Sequence, residues 1–286
     1  MSETAIGEML RQMTEEGWRN FPEKHPVLLW EDAPGYDAAL GQDQPSITPY
    51  LLPGTQARGA VVVCPGGGYA FKAMHEAEPI ALWLNDAGYH AFVLNYRVAP
   101  YRQPLPRMDA QRAIRMVRAR AEAWHVKPDK IGILGFSAGG HLAASVMTAD
   151  PTGDAQSPDP VTRTSARPDA VLLCYPVISL EQGVTHAGSR ECLLGPDAPA
   201  EVVWTWSMEE QVRPGQPPVF LWHTVEDDAV PVENSLRMLA ACKAAGVAVE
   251  AHLFPHGHHG LGLAQADATV SQWPGLAAQF LRALEF

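Results

Sequence analysis

The 286-residue sequence has few cysteines and no apolar run of the length that a membrane span requires. Its four cysteines lie far apart and none forms a Cys-x-x-Cys pair, so neither a disulfide framework nor a cysteine-based zinc site is expected. The best apolar run, residues 170–180, is short and contains Pro176. The N-terminus has no basic stretch followed by an apolar one, which predicts no signal peptide. These absences favour a cytoplasmic protein with reduced thiols.

Positive charge is also in short supply. Lys and Arg number 21 against 32 Asp and Glu, which gives a formal net charge of −11 at pH 7. An acidic surface of this kind repels phosphate groups, so nucleic acid and anionic membranes are not expected as partners. Hydrophobic residues make up 47% of the chain, which is enough for a sizeable core and argues against disorder.

From residue 60 onward, short apolar runs alternate with segments of helical periodicity. The runs are apolar almost throughout, as expected of strands that are covered on both faces. The predicted strands are residues 60–64, 91–96, 131–136, 170–175, 219–223 and 249–254, and the predicted helices are residues 76–87, 108–124, 140–149, 233–245 and 269–284. In the helix 108–124, Arg112, Arg115 and Arg118 are expected to face water. This alternation predicts an α/β fold with a mostly parallel central sheet and helices on both faces.

The first 58 residues differ from the rest of the chain. A charged helical stretch is followed by two short strands, residues 27–30 and 47–52, which are expected to be antiparallel edge strands. We therefore expect an N-terminal extension over residues 1–58 and a core over residues 59–286, within one domain overall. The segments 150–168 and 179–217 are rich in Pro, Gly and polar residues. We expect them to be insertions at strand ends that shape a ligand site.

The sharpest motif is Gly-Phe-Ser-Ala-Gly at residues 135–139, directly after a predicted strand and before a predicted helix. A serine in such a turn takes a strained backbone conformation that its small neighbours permit, and its Oγ is pushed out of the sheet. The helix N-terminus then lies behind the serine, where backbone N–H groups can stabilise an oxyanion. The pattern predicts Ser137 as a nucleophile, with a plain tight turn as the alternative.

A serine nucleophile needs a base. The histidines that follow the last predicted strand are His256, His258 and His259. His259 is favoured because the glycine after it lets the loop turn under a pocket, and His258 is the alternative base. A metal site formed by the three histidines is a further alternative, which no nearby carboxylate or cysteine supports. No metal and no organic cofactor is therefore expected.

The acid that orients this base should follow the penultimate strand, where Glu226, Asp227 and Asp228 are adjacent. Three neighbouring carboxylates are costly unless one of them has a cationic or imidazole partner. Asp227 is predicted as the acid. Glu226 should point away, because neighbours in an extended turn alternate, and Asp228 should cap the following turn. A solvated acidic loop is the alternative interpretation.

A glycine-rich segment, Cys-Pro-Gly-Gly-Gly-Tyr at residues 64–69, follows the first core strand. Three glycines allow the backbone to approach a ligand closely and to aim amides at it. The segment is therefore a candidate for a second oxyanion donor. It matches neither of the glycine-rich patterns that bind phosphate, G-x-x-x-x-G-K-[ST] and G-x-G-x-x-G.

Three aromatic residues, Tyr69, Trp204 and Trp206, are candidate substrate contacts. Trp204 and Trp206 lie in the segment 179–217, and packing of that insertion onto the body is the alternative role for them. Arg97 is expected to brace a turn from a buried position, and His141 is expected to be structural.

Taken in chain order, these motifs resemble those of α/β-hydrolase serine esterases, nearest to the acetyl-xylan-esterase-like and hormone-sensitive-lipase-like branches. The likeness rests on residues 65–69, 95–100, 135–139, 227–231 and 259–260, and it covers roughly residues 59–286. One departure is Pro65, which stands where lipase-like members usually have a histidine before the glycines. This departure shifts the likeness toward carbohydrate esterases.

The resemblance implies an α/β-hydrolase fold and a serine carboxylesterase that removes small acyl groups, expected to be acetyl and carbohydrate-linked. It implies a triad of Ser137, His259 and Asp227. By the same likeness, the oxyanion donors are the amides of Gly66, Gly67 and Ala138. The expected partner is a small-molecule ester, and self-association into a homo-oligomer is left open. The alternatives are an arylformamidase-like amidase and a ligand-binding homologue without catalysis.

Overall fold

A computed structural model describes residues 25–286 of the protein. Within that part of the chain, eight strands form a single sheet. In chain order they are β1 (Val27–Leu28), β2 (Ser46–Tyr50), β3 (Arg58–Cys64), β4 (His90–Asn95), β5 (Val126–Phe136), β6 (Ala170–Cys174), β7 (Val219–Thr224) and β8 (Val249–Phe254). Their order across the sheet is β1-β2-β4-β3-β5-β6-β7-β8.

The strands from β3 to β8 run parallel to one another, whereas β2 pairs antiparallel with both β1 and β4. The predicted mostly parallel sheet is therefore confirmed, as are the antiparallel strands at its edge. The charged helical stretch predicted ahead of β1 falls in residues 1–24, outside the described residues.

Helices connect the strands and cover both faces of the sheet. They are α1 (Glu78–Asp86), α2 (Leu105–Ala119), α3 (Ala138–Thr148), α4 (Ala187–Leu194), α5 (Ala200–Thr205), α6 (Glu233–Ala245) and α7 (Trp273–Ala283). Helix α2 starts before the predicted residue 108 because Pro106 fits the first turn, where a missing N–H breaks no helical bond. Pro274 likewise lies in the first turn of α7, so it begins that helix rather than kinking it.

The core has two layers, one on each face of the sheet. Along β3, Ala60 and Val62 belong to the layer that includes α2 and α3, whereas Val61 and Val63 belong to the layer that includes α1 and α7. Because both layers are apolar, the central strands lack the polar alternation of a half-exposed sheet. Within residues 25–286, no helix combines the length and apolarity that crossing a membrane requires.

The arginines of α2 do not face water, and that prediction is wrong. Arg112 donates from Nε to the carbonyl oxygen of Leu29 at 2.7 Å and forms an ion pair with Asp159. Arg115 and Arg118 bind backbone carbonyls of residues 152–167, and Arg118 also pairs with Asp169 at 2.9 Å. The three side chains therefore hold the predicted insertion 150–168 against α2.

Candidate active site

The turn after β5 places Ser137 in a strained conformation. Its φ and ψ are 51° and −120°, which is rare for a residue with a side chain and is held only where the surroundings dictate it. A Cβ atom at Gly135 would lie 2.0 Å from the carbonyl oxygen of Gly139. Glycine is therefore required there for α3 to begin immediately behind the serine. The strand–turn–helix context predicted for this motif is present.

Ser137, His259 and Asp227 come together from the loops that follow β5, β8 and β7. His259 Nε2 lies 2.8 Å from Ser137 Oγ, and His259 Nδ1 lies 2.7 Å from Asp227 Oδ2. An ionised carboxylate can only accept, so Nδ1 carries the proton and Nε2 accepts from the serine hydroxyl. The loops meet because parallel strands bring their carboxyl ends to one edge of the sheet.

Asp227 is buried and fully hydrogen-bonded. Its Oδ1 accepts from the amides of Ala229 and Val230 at 3.0 and 2.8 Å, while Oδ2 faces His259 and His223. Burial by itself would raise the pKa of Asp227. Hydrogen bonds from the two histidines, the electrostatic attraction of His259 and the Val230 amide outweigh burial and hold the pKa of Asp227 well below its ordinary value. The side chain therefore stays ionised next to His259.

The neighbouring acids behave differently from one another. Glu226 points away, as predicted, and forms an exposed ion pair with His256 at 2.9 Å. The capping of the following turn, predicted for Asp228, is performed by Oδ1 of Asp227 instead. That part of the reasoning is wrong, because one aspartate can orient the imidazole with one oxygen and cap the turn with the other.

His223 is a site residue that the sequence reasoning missed. The Val230 carbonyl, 3.0 Å from His223 Nε2, can only accept, so Nε2 carries a proton that also faces Asp227 Oδ2 at 3.2 Å. Nδ1 lies 2.6 Å from Ser235 Oγ. His223 therefore binds the same carboxylate oxygen of Asp227 that faces His259. The available signal was a histidine at the end of a buried strand, four residues before the acid.

The glycine loop offers fewer oxyanion donors than predicted. The amide of Gly66 donates to Glu76 Oε2 at 2.7 Å, so it is already engaged and its predicted role is wrong. Within residues 25–286, the amides of Gly67 and Ala138 have no such acceptor. Gly67 has a φ of 119°, a conformation that glycine permits. Gly67 and Ala138 remain the candidate donors.

The three aromatic residues predicted as substrate contacts each bind another protein group. Tyr69 is buried and its hydroxyl lies 2.8 Å from His141 Nδ1. Trp206 is 4% exposed and packs under Arg107, with 4.3 Å between the guanidinium carbon and the ring centroid. Trp204 is 49% exposed, and its indole N–H donates to Glu210 at 3.2 Å. Packing of the insertion onto the body therefore describes Trp206 better than substrate contact does.

The aromatic ring that does pack against His259 is that of Tyr175, with ring centroids 5.0 Å apart. The sequence predicts Tyr175 only as the last residue of a strand. The expected structural residues behave as predicted: Arg97 is buried and bonded to Asp109, and His141 is buried between Tyr69 and Trp206.

The remaining histidines of the last loop make separate contacts. His256 pairs with Glu226, and His258 Nδ1 lies 2.6 Å from the carbonyl oxygen of His259. In the part of the chain that the structure describes, no three His, Cys, Asp or Glu side chains are grouped to hold a metal ion. The geometry thus draws only His259 of the three toward Ser137.

Comparison with known proteins places this geometry in context. The model of the BD-FAE family matches residues 50–241. A crystal structure of an acetyl ester-xyloside bifunctional hydrolase from Caldicellulosiruptor lactoaceticus is 48% identical, with a TM-score of 0.89, and the match covers 92% of this chain and 97% of that one.

Two relatives with known names are longer than this chain. An endo-1,4-β-xylanase B from Butyrivibrio fibrisolvens is 36% identical over 86% of this chain and 39% of its own length. An acetylxylan esterase from Xylanibacter ruminicola is 33% identical over 74% of this chain and 43% of its own length. The chain therefore spans about two fifths of the length of these relatives.

Proposed function

We propose that this chain, which belongs to the BD-FAE family and has the α/β-hydrolase fold, is a serine carboxylesterase for short-chain acyl esters. The observation that carries the proposal is the unbroken hydrogen-bond chain from Ser137 through His259 to Asp227. Similarity to an acetylxylan esterase and to an acetyl ester-xyloside bifunctional hydrolase supports acetyl esters of sugars as the substrates.

Acylation begins when Ser137 Oγ attacks the ester carbonyl carbon. His259 Nε2, which already accepts a hydrogen bond from that hydroxyl, takes its proton as the new C–O bond forms. Asp227 keeps the imidazole in the tautomer with its proton on Nδ1, and its charge stabilises the imidazolium. The ionised state of Asp227 suits this role.

The tetrahedral intermediate carries a negative charge on the former carbonyl oxygen. The amides of Gly67 and Ala138 are the donors for this oxyanion, and Ala138 lies at the positive end of α3. Each donor of this kind typically lowers the barrier by about 3 kcal/mol. His259 then protonates the leaving alcohol, and the C–O bond to that alcohol breaks.

Deacylation repeats the sequence with water. His259 removes a proton from a water molecule, the hydroxide adds to the acyl-enzyme carbonyl, and the oxyanion forms again in the same place. The bond to Ser137 Oγ breaks as His259 returns the proton to that oxygen. The products are a carboxylic acid and free enzyme, and the cycle uses no cofactor.

Replacement of Ser137 tests the proposal. Ser137→Ala should lower kcat on p-nitrophenyl acetate by at least about a thousandfold, because no other group can form the acyl-enzyme. A serine-directed phosphonate should label the wild type and leave the variant unlabelled. Ser145→Ala is the matched control, since the hydroxyl of this buried serine of α3 donates to the Leu142 carbonyl within its own helix.

Substrate class is measured on the same wild-type protein. We expect turnover to fall along a series of p-nitrophenyl esters from acetate to octanoate, and acetylated xylo-oligosaccharides to be deacetylated. A Ser137→Ala variant that keeps more than about a thousandth of the wild-type kcat would contradict the acyl-enzyme mechanism. Faster turnover of N-formyl arylamines than of acetate esters would favour an amidase.

A further inference from the structure

Glu76 is a buried carboxylate that the mechanism above does not use. It ends the short 3₁₀ helix Met74–Glu76 and is 2% exposed. Its Oε2 accepts from the Gly66 amide at 2.7 Å, and its Oε1 accepts from the Tyr175 hydroxyl at 2.6 Å. Among the described residues, its only basic neighbour within 4.0 Å is His75, at 3.6 Å. Burying a carboxylate without a close cation is costly, so its two hydrogen bonds require an explanation.

One arm of this arrangement leads to the oxyanion loop. Gly66 directly precedes the candidate donor Gly67. A Cβ atom at Gly66 would lie 2.7 Å from Glu76 Oε2, 2.8 Å from the Phe136 carbonyl oxygen and 3.0 Å from Ser137 Cβ. Gly66 is therefore packed closely between the Glu76 carboxylate and the turn that contains Ser137. Fixing its amide restricts the direction in which the next amide points.

The other arm leads to the loop of His259. The Tyr175 oxygen, which donates to Glu76, accepts from the Gly262 amide at 2.9 Å, and the Tyr175 ring packs on His259. The adjacent His75 contacts the Gly260 carbonyl through Nε2 at 2.9 Å. Residues 75 and 76 thus touch both loops that flank the reacting centre.

The chemistry of the position argues for alignment rather than for charge stabilisation. A carboxylate close to a forming oxyanion is electrostatically unfavourable, and an apolar side chain would fill the space without that cost. A carboxylate supplies two acceptor oxygens, so Glu76 can accept from the Gly66 amide and from the Tyr175 hydroxyl at the same time.

We propose that Glu76 is a positioning residue that sets the Gly67 amide relative to the Ser137–His259 pair, by tying Gly66 to the Tyr175–Gly262 contact. The inference rests on the proposed esterase function. It assigns Glu76 no contact with substrate. Its effect should appear in the stabilisation of the tetrahedral oxyanion and leave ground-state binding unchanged.

The variant Glu76→Gln keeps the size of the side chain and removes one of its two acceptor oxygens. We expect kcat on p-nitrophenyl acetate to fall by about 10- to 100-fold with KM within about twofold, because a displacement near 1 Å has effects of this size. A trifluoromethyl ketone forms a tetrahedral oxyanion with the serine. Its inhibition constant should rise by the same factor as kcat/KM falls.

Tyr175→Phe removes the hydroxyl that contacts Glu76 Oε1 and the Gly262 amide, and it keeps the hydrogen bond between Gly66 and Glu76. It should lower kcat about 3- to 10-fold. Since both variants act on one chain of contacts, the double variant should lose less than the product of the single losses. Glu209→Gln is the control for a lost buried carboxylate. Glu209 lies in the segment 179–217, where its side chain is 6% exposed and pairs with Arg237 at 3.4 Å. This control should lower the melting temperature without changing kcat.

Active-site titration with a phosphonate corrects every kcat for the fraction of folded enzyme. The proposal is overturned if Glu76→Gln keeps kcat within twofold of the wild type after this correction, or if the losses in the double variant multiply. If Glu76→Gln does not fold, Tyr175→Phe decides, and a kcat within twofold of the wild type after the same correction overturns the proposal. A wild type without esterase activity would instead refute the proposed function, whereas an active wild type with an unaffected Glu76→Gln refutes only this inference.

Discussion

At the scale of single residues, Asp227 shows how hydrogen bonds distinguish chemically similar neighbours. Glu226, Asp227 and Asp228 are consecutive, yet only Asp227 is buried and reaches His259. His223 and the amides that follow Asp227 occupy its remaining lone pairs. A carboxylate bonded in this way cannot turn away from the imidazole without losing several partners.

Conservative substitution of each of the three acids should show which of them acts on His259. Asp227→Asn should lower kcat by about 10³- to 10⁴-fold, because an amide in this place favours the wrong imidazole tautomer and removes its counter-charge. Glu226→Gln and Asp228→Asn are exposed controls and should keep kcat within about threefold of the wild type. Steady-state kinetics on p-nitrophenyl acetate distinguishes them. A collapse of kcat in Asp228→Asn, with Asp227→Asn near the wild type, would shift the assignment by one residue.

Residues were predictable from the sequence when their signal was local. Ser137 follows from a five-residue motif, and His259 from its place after the last strand. Glu76 and His223 were not predicted. Glu76 bonds to Gly66 and to Tyr175, which lies 99 residues away. No periodic pattern in the sequence predicts contacts between residues so far apart. The Gly66 amide was misassigned for the same reason, since its acceptor comes from the next turn of the chain.

At the scale of secondary-structure elements, the crossing of α3 over the end of β3 fixes the position of Ser137. A Cβ atom at Gly139 would lie 2.1 Å from the Cys64 carbonyl oxygen and 2.6 Å from that of Pro65. Such distances are far below van der Waals contact, and both neighbours are backbone atoms that cannot rotate away. The close approach brings Ala138 and the glycine loop to the same side of Ser137.

A side chain at Gly139 should disturb the contact between α3 and the end of β3. Gly139→Ala should lower the free energy of unfolding by about 1–3 kcal/mol through overpacking. It should also reduce kcat, because α3 and the glycine loop must separate. Gly275→Ala is the control: it lies in α7 with open space around its Cβ position, and alanine there should stabilise by about 0.5–1 kcal/mol. Urea unfolding and kinetics measure both, and a Gly139→Ala variant with wild-type stability would contradict the packing argument.

Elements were more predictable than their ends and their exposed faces. The parallel strands were recognised because burial on both faces makes them continuously apolar. The arginine face of α2 was misjudged, because helical periodicity separates polar from apolar positions but does not show which polar positions another segment covers. Here the carbonyl groups of residues 152–167 supply acceptors that only the folded chain brings to Arg115 and Arg118.

At the scale of the whole molecule, His141 joins three parts of the fold. It lies in the first turn of α3, its Nε2 donates to the Trp206 carbonyl of the insertion at 2.7 Å, and its Nδ1 accepts from Tyr69 of the glycine loop. The Trp206 carbonyl can only accept, which fixes this tautomer. Burial, opposed by the Trp206 hydrogen bond and assisted by the charge of Arg107, lowers the pKa of His141 from 6.5 to about 4.

The lowered pKa of His141 makes the stability of the protein depend on pH. In the unfolded chain His141 binds a proton near pH 6.5, whereas in the fold it does so only near pH 4, so the unfolded state takes up more protons in between. The stabilisation is therefore complete above pH 6.5 and is lost as the pH falls toward 4. His141→Gln cannot ionise. The difference in unfolding free energy between the wild type and this variant should therefore shrink by about 2 kcal/mol from pH 7 to pH 5. Urea unfolding at both pH values measures this change, and the difference should stay constant between pH 7.5 and 8.5, where the imidazole is neutral in both states. An unchanged difference at pH 5 would mean that His141 takes up its proton equally in the folded and unfolded chains, which its burial between Tyr69 and Trp206 argues against.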